Sequence, residues 1–127
     1  MNLFWCTLCE RLPLVLHVAF YRTEAGNEPV REWLMELPRE SKKLIGTDIK
    51  SVQLGWPQGM PLVRKLEHRL WEVRTDLGEN AARVIFTLVA SQMVLLHGFI
   101  KKSRKTPLVD LNTARHRKNK LRGTSHE

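Results

Sequence analysis

The chain has 127 residues, with 21 Lys+Arg against 13 Asp+Glu and a formal net charge of +8 at pH 7. This length suits one compact domain, and a hydrophobic fraction of 43% supplies a core, which excludes an intrinsically disordered chain. The longest apolar run, residues 12–20, is about half of the roughly 20 residues that a membrane-spanning helix needs, and His17 interrupts it. Composition therefore predicts a single folded domain that does not span a membrane.

The amino-terminal segment, residues 1–16, is apolar but lacks the marks of a secretory signal. No basic residue precedes its apolar residues, Glu10 and Arg11 interrupt them, and no small-residue cleavage site follows. We therefore predict a cytoplasmic protein with an amino-terminal extension of unknown order. Cys6 and Cys9 form one Cys-x-x-Cys pair, but the sequence shows no second ligand pair to complete a tetrahedral zinc site. We expect no metal and no cofactor.

Positive charge is concentrated near the carboxyl terminus. Residues 1–100 are nearly neutral, whereas residues 101–122 contain many basic residues and a single acidic one, Asp110. The basic residues there are Lys101, Lys102, Arg104, Lys105, Arg115, Arg117, Lys118, Lys120 and Arg122. Such a block attracts a polyanion through phosphate contacts and counterion release, which favours nucleic acid as a partner. The charge alone equally allows a solvated tail or pairing with an acidic protein.

The first half of the chain predicts a strand followed by two helices. Residues 17–22 combine β-branched and aromatic side chains, which is typical of a short strand. Apolar residues recur at helical spacing over residues 30–37, and Pro38 ends this helix. A second amphipathic helix is predicted over residues 39–54. The two helices should form an αα-hairpin.

The second half predicts a sheet and a basic end. Three strands rich in Val, Ile, Leu, Phe and Trp are expected over residues 63–75, 82–90 and 93–101. Pro107 opens a final basic segment, predicted as a helix or tail. The order β-α-α-β-β-β indicates an α+β fold, in which the helices cover one face of a mostly antiparallel sheet and leave the other face open. We predict one domain over residues 17–122 and a disordered tail over residues 123–127.

Charged residues interrupt the predicted strands at few positions. Alternation puts Glu72 and Arg74 on one face of their strand, and Arg83 is a lone charge near the start of a central strand. A charge there is costly unless it is paired or faces a ligand. Arg83 therefore either binds a ligand or forms a cross-strand ion pair with Glu72, and the sequence leaves both interpretations open.

His97 and the segment after it carry the remaining candidate chemistry. A histidine within an apolar strand is usually a hydrogen-bonded core residue, although histidine can also transfer protons. The segment 98–107 places cations directly at the end of a strand. Cleavage of an RNA phosphodiester by its own 2′-hydroxyl needs positive charge on the phosphate, a proton acceptor and a proton donor. Arginine does not deprotonate, so proton transfer falls to a lysine with a lowered pKa or to a histidine.

Four segments of the chain carry motifs of a known family. They are Asn27-Glu28-Pro29-Val30-Arg31-Glu32-Trp33-Leu34, Leu70-Trp71-Glu72-Val73-Arg74, Ala82-Arg83-Val84-Ile85-Phe86 and Leu96-His97-Gly98-Phe99-Ile100-Lys101-Lys102 with Lys105-Thr106-Pro107. Over residues 17–120 the chain resembles the HigB-like branch of the RelE/ParE toxin superfamily. The resemblance implies a RelE-like fold and a phage-derived toxin of a type II toxin–antitoxin system. It also implies a metal-independent endoribonuclease that cleaves messenger RNA, typically on the ribosome, and so inhibits translation.

The resemblance also implies site residues and partners. The residues expected to be catalytic are Arg83, Arg74, Lys101 and Lys102. The residues expected to bind RNA are Arg64, Lys65, Arg104, Lys105, Arg115 and Lys118. His97 is a candidate acid or base. The expected partners are a helix-turn-helix, HigA-like antitoxin, the ribosome and messenger RNA.

One departure from the family keeps other functions open. RelE-type nucleases often place a tyrosine in the final segment, whereas the one tyrosine of this chain is Tyr21. A ParE-like toxin of the same fold, which inhibits DNA gyrase, is therefore a second hypothesis. The third is a catalytically inactive remnant that only binds an antitoxin.

Overall fold

The computed structural model describes residues 15–102 and 106–125, and side chains as far as Leu121. The strands are β1 (His17–Phe20), β2 (Val63–Glu67), β3 (Leu70–Asp76), β4 (Ala81–Val89) and β5 (Gln92–Lys101). The helices are α1 (Pro29–Glu36), α2 (Arg39–Gly55) and α3 (Leu108–Ser125). One sheet has the order β1-β5-β4-β3-β2, with β1 parallel to β5 and the other pairs antiparallel. The predicted α+β fold, consistent with a RelE-like architecture, is confirmed.

The prediction of one strand over residues 63–75 is wrong. The segment forms two strands, β2 and β3, which pair antiparallel with Val63 opposite Val73. A tight turn at His68 and Arg69 joins them, and Arg69 has a φ of 61°, in the left-handed region. The sequence concealed this turn because neither residue is a glycine, proline or asparagine, the residues that usually mark one.

Helices α1 and α2 pack on one face of the sheet. Val30 of α1 and Ile45 and Val52 of α2 are buried against Val84 and Phe86 of β4. Burying each such side chain stabilises the fold by roughly 1.5–3 kcal/mol. The core extends to the start of the described chain, because Leu16 is buried in the same cluster. The amide of Leu16 also donates to the Gln53 carbonyl at 3.0 Å.

The prediction that the second face of the sheet is open is wrong, because α3 packs across part of it. Ala114 of α3 is fully buried against a cluster that includes Leu70, Ile85 and Leu96. The sequence did not predict this packing, because α3 has few apolar positions and no clear apolar stripe. The helix runs to Ser125, past the predicted domain boundary at residue 122. No helix within the described ranges is long and apolar enough to cross a membrane.

Polar contacts from α3 to the β2–β3 turn complete its attachment. Arg115 forms a bidentate ion pair with Glu67, with Nη2 to Oε1 at 2.7 Å and Nε to Oε2 at 3.0 Å. Lys118 Nζ donates to the His68 carbonyl at 3.2 Å. Two of the residues expected to bind RNA therefore hold α3 against the sheet.

We predict that Arg115→Ala lowers the thermal stability of the protein, most clearly above pH 4.5. The hydrogen bond from Arg115 lowers the pKa of Glu67 below 4.5, so the pair stabilises the fold above that pH and this contribution is lost on acidification. Tm measured against pH should show a weaker acid dependence in the variant than in the wild type. Equal acid dependence in both proteins would contradict this account.

Gly98 of β5 allows the close approach of α1. A methyl group at Gly98 would overlap the indole ring of Trp33, whose Cε3 and Cζ3 atoms lie against the glycine. We predict that Gly98→Ala lowers the free energy of unfolding by about 1–3 kcal/mol, because Trp33 must leave its packed position. Chemical denaturation checks this. Gly46→Ala on α2 is the control, since no atom lies within 4 Å of the added methyl group.

Candidate active site

A cleft of about 760 Å³ opens where the β3–β4 turn meets the carboxyl end of β5. It is lined by Arg74, Asp76, Gly78, Glu79, Asn80, Ala81, Arg83, Lys101 and Lys102. All four residues expected to be catalytic therefore lie around one cavity. Pairing explains this convergence: Arg74 lies directly opposite Arg83, and Ala81 lies opposite Lys101.

Two of these cations are buried. Arg83 is 6% exposed and Lys101 is 7% exposed. Burial is the main cause of the lowered pKa of Lys101, and the charge of Arg83 lowers it further. Burial, and then the charge of Arg74, also lower the pKa of Arg83, but a guanidinium keeps its proton in proteins. The cleft thus combines Arg83, which stays protonated, with Lys101, which loses its proton more readily than a lysine in water.

Glu72 is the buried acidic residue beside these cations. Its Oε2 lies 3.9 Å from Arg83 Nε, and its Oε1 accepts a hydrogen bond from Thr106 Oγ1 at 3.2 Å. Among the described residues, neither Glu72 Oε2 nor Arg83 Nε has a hydrogen-bond partner. The cross-strand ion pair left open by the sequence therefore exists, but it is longer than a hydrogen bond. With Asp76 and Glu79 of the lining, Glu72 makes three carboxylates against four cations, Arg74, Arg83, Lys101 and Lys102, so one positive charge is in surplus, which suits an anionic ligand.

A second cavity, of about 470 Å³, adjoins the cleft. The two cavities share Arg74, Asp76, Ala81 and Arg83, and the second adds Asp48, Pro61, Leu62 and Thr75. Arg74 is further held by Met60, whose Sδ lies 3.1 Å from Arg74 Nη1. Both arginines thus have space on two sides, which fits a chain-like ligand that continues beyond one anionic group.

The structure separates several residues expected to bind RNA. Arg64 lies opposite Glu72 on β2, on the face of the cleft, and its charge makes a minor contribution, after burial, to the lowered pKa of Lys101. Lys65 lies on the other face, with Nζ 5.9 Å from the centre of the Trp71 ring. Arg104 and Lys105 lie outside the described residues. Arg115 and Lys118 contact the β2–β3 turn, as described above.

His97 is engaged by α3. Its Nε2 lies 2.6 Å from Asp110 Oδ1, its Nδ1 lies 3.5 Å from Arg117 Nη1, and its ring stacks on Phe99. It is absent from the residues that line the cleft. This placement favours a role for His97 in attaching α3, the interpretation usual for a histidine within an apolar strand.

Sequence reasoning missed four polar residues of the site: Asp76, Glu79 and Asn80, which line the cleft, and Thr106, which contacts Glu72. Asp76 Oδ1 accepts a hydrogen bond from the Gly78 amide at 2.9 Å, which shapes the β3–β4 turn. Gly78 has a φ of 96°, a conformation that favours glycine. The Asp-x-Gly spacing is a turn signal that could have placed Asp76. Thr106 had no local signal, because its partner Glu72 is distant in sequence.

Within residues 15–102 and 106–125, no group of three or more His, Cys, Asp or Glu side chains could hold a metal ion. Cys6 and Cys9 lie outside these ranges.

The family of this chain follows from a match to a protein-family model. The model of the family described as Phage derived protein Gp49-like (DUF891) matches residues 32–119, which include every residue that lines the cleft. The chain belongs to this Gp49-like family. The family is associated with RelE/ParE-like toxins, and membership is consistent with a toxin of a toxin–antitoxin system, which implies an antitoxin partner. The comparison with curated proteins gave no match.

Proposed function

We propose that this Gp49-like protein is a HigB-like toxin that cleaves messenger RNA on the ribosome as a metal-independent endoribonuclease. The observation that carries the proposal is the cleft itself. Two cations that are more than nine-tenths buried, Arg83 and Lys101, share it with Arg74, while Glu72 is the buried carboxylate beside them. Buried cations in excess of their counter-ions are stabilised when an anion enters, and the phosphodiester of RNA is such an anion.

The proposed reaction uses the 2′-hydroxyl of the substrate as nucleophile. Arg83 and Arg74 bind the non-bridging phosphate oxygens and stabilise the charge that develops on phosphorus. Neutral Lys101 accepts the proton of the 2′-hydroxyl as the new O2′–P bond forms. The bond from phosphorus to the 5′-oxygen breaks, and that oxygen takes a proton from solvent. The products are a 2′,3′-cyclic phosphate and a 5′-hydroxyl.

The surroundings of the arginines fit an oligonucleotide. The cavities of about 760 and 470 Å³ meet at Arg74 and Arg83, so the nucleotides on either side of the bound phosphate have space. Lys102 and Arg64 border this region and supply further positive charge for neighbouring phosphates.

The cognate partner in this proposal is a helix-turn-helix, HigA-like antitoxin in the cytoplasm. An acidic surface of that partner would neutralise the surplus charge of the cleft, compete with RNA and associate faster at low salt.

Expression without an antitoxin tests the function. The wild-type protein, induced in antitoxin-free cells, should arrest growth and produce new, translation-dependent 5′ ends on an abundant transcript, mapped by primer extension. Arrest without new ends, together with inhibition of gyrase supercoiling by the purified protein, would overturn the nuclease in favour of a ParE-like toxin. Normal growth, despite confirmed expression of folded protein, would overturn it in favour of an inactive remnant.

A further inference from the structure

Glu72 is unusual among the charged residues of the fold. It is fully buried at the centre of β3, and it is the buried acidic residue of the described chain. Its carboxylate faces two elements at once, Arg83 on β4 and Thr106 just before α3. Any role for Glu72 must therefore account for both contacts.

Stability alone gives a poor account of this carboxylate. A buried ion pair often stabilises a fold no better than apolar residues of similar volume, because both charges lose their hydration. Glu72 and Arg83 also form no hydrogen bond with each other, because Arg83 Nε and Glu72 Oε2 are 3.9 Å apart. Neither atom has another hydrogen-bond partner among the described residues. This geometry places negative charge next to Arg83 without consuming its donors.

The orientation of Arg83 follows from two contacts. Arg83 Nη1 donates to the carbonyl of Ala82 at 3.0 Å, and Nε faces Glu72. A guanidinium has five N–H donors, so this arrangement leaves the terminal nitrogens with donors for a ligand in the cleft. Without the carboxylate, Arg83 would lose the negative charge nearest its Nε, and the repulsion from Arg74 directly opposite would no longer be offset.

We infer that Glu72 is the positioning residue of the cleft: its carboxylate orients Arg83 for the phosphate and, through Thr106, holds the start of α3 beside the same site. This inference rests on the proposed function for its substrate, but the positioning itself concerns only this chain. It also explains how α3 and the cationic strands are coupled although Thr106 lies far from Glu72 in sequence.

Electrostatics provide a test that a purely structural role would not satisfy. The charged groups that act on Lys101 are Arg83 on β4, Arg74 and Glu72 on β3, and Arg64 on β2. Burial and the arginines lower the pKa of Lys101, whereas Glu72 raises it. Removing the charge of Glu72 should therefore move the titration of Lys101 to lower pH.

The experiment compares the wild type with Glu72→Gln, which keeps the shape and an acceptor for Thr106, and with Thr106→Val. For Glu72→Gln we expect kcat on ribosome-bound messenger RNA to fall about 10- to 100-fold, the cost of a misplaced catalytic group, with KM for that substrate unchanged or lower because the cleft becomes more positive. The limb of the pH–rate profile that reports the titration of Lys101 should move to lower pH. Thr106→Val should lower Tm and leave that limb unchanged.

Glu36→Gln, an exposed change of the same charge on α1, is the control and should match the wild type in all measurements. The pKa of Lys101, followed by NMR of ¹³C-labelled lysine in each folded protein, gives a readout that does not need RNA. An unchanged kcat, or an unchanged Lys101 titration, in folded Glu72→Gln would overturn the inference even if the wild type cleaves RNA. A wild type that cleaves no messenger RNA on translating ribosomes would overturn the proposed function, while the NMR titration would still decide whether Glu72 acts on the cleft.

Discussion

Replacing Arg83 with glutamine is expected to reduce messenger RNA cleavage by about 10²- to 10³-fold, the usual cost of removing one preorganised donor from a transition-state site. Arg83 is the more buried of the two arginines that lie opposite each other at the cleft, and it lines the cavity where the phosphate is proposed to bind. Growth arrest on induction should disappear together with the new 5′ ends. Primer extension and growth curves measure both effects.

Two further variants separate a catalytic defect from a folding defect. Arg83→Gln leaves the carboxylate of Glu72 buried without its cation, and breaking a buried pair typically costs about 3–5 kcal/mol. The double variant Glu72→Gln/Arg83→Gln removes both charges and should recover most of the lost Tm without recovering cleavage. Arg39→Gln, at an exposed position at the start of α2, is the charge-matched control. Full cleavage by folded Arg83→Gln would contradict the assignment of Arg83.

The second large effect is expected at Lys101. Lys101→Arg keeps a positive charge in the cleft but removes a group that can lose its proton, because arginine stays protonated. We expect RNA binding to persist while the rate of cleavage falls by about 10²- to 10⁴-fold, the range that general acid–base catalysis contributes. Filter binding with a non-cleavable 2′-deoxy substrate, alongside single-turnover kinetics on ribosome-bound messenger RNA, distinguishes affinity from rate.

The pH dependence of the cleavage rate tests whether Lys101 acts as a base. As a base, Lys101 must be neutral, so cleavage by the wild type should rise with pH through its pKa, which burial and Arg83 hold below 10.5. The unfolded chain binds more protons than the folded one between that lowered pKa and 10.5, so this group makes the fold more stable as pH rises through the window. Lys101→Arg should lose the rising limb of the rate profile. A variant that keeps both the limb and the rate would assign proton transfer to another group.

The two predictions at the cleft depend on a convergence that sequence reasoning anticipated only in part. Arg74, Arg83, Lys101 and Lys102 were selected as charges within or after apolar strands and by resemblance to a toxin family, and the register of β3, β4 and β5 brings them to one cavity. The roles of these residues stay predictions until the variants are measured. Lys65 was expected to bind RNA with Arg64, but the two residues lie on opposite faces of β2, because successive side chains of a strand alternate between its faces.

Local patterns in the sequence by themselves determined the α+β class, the helical hairpin and the positions of most strands. These features depend on periodicity, on Pro38 and on turn residues, all of which act over a few positions. The Gp49-like family was likewise accessible from sequence, because it is a property of the motifs.

Only the tertiary structure decided which charges meet. Helix α3 packs on the second face of the sheet through residues that are not its neighbours in sequence. The contact of Thr106 with Glu72 and the ion pair of Arg115 with Glu67 join residues 34 and 48 positions apart. Such contacts depend on strand register and helix docking, which no local pattern encodes. The burial that lowers the pKa of Lys101 has the same origin, because its desolvation is produced by the neighbouring strands and not by its neighbours in sequence.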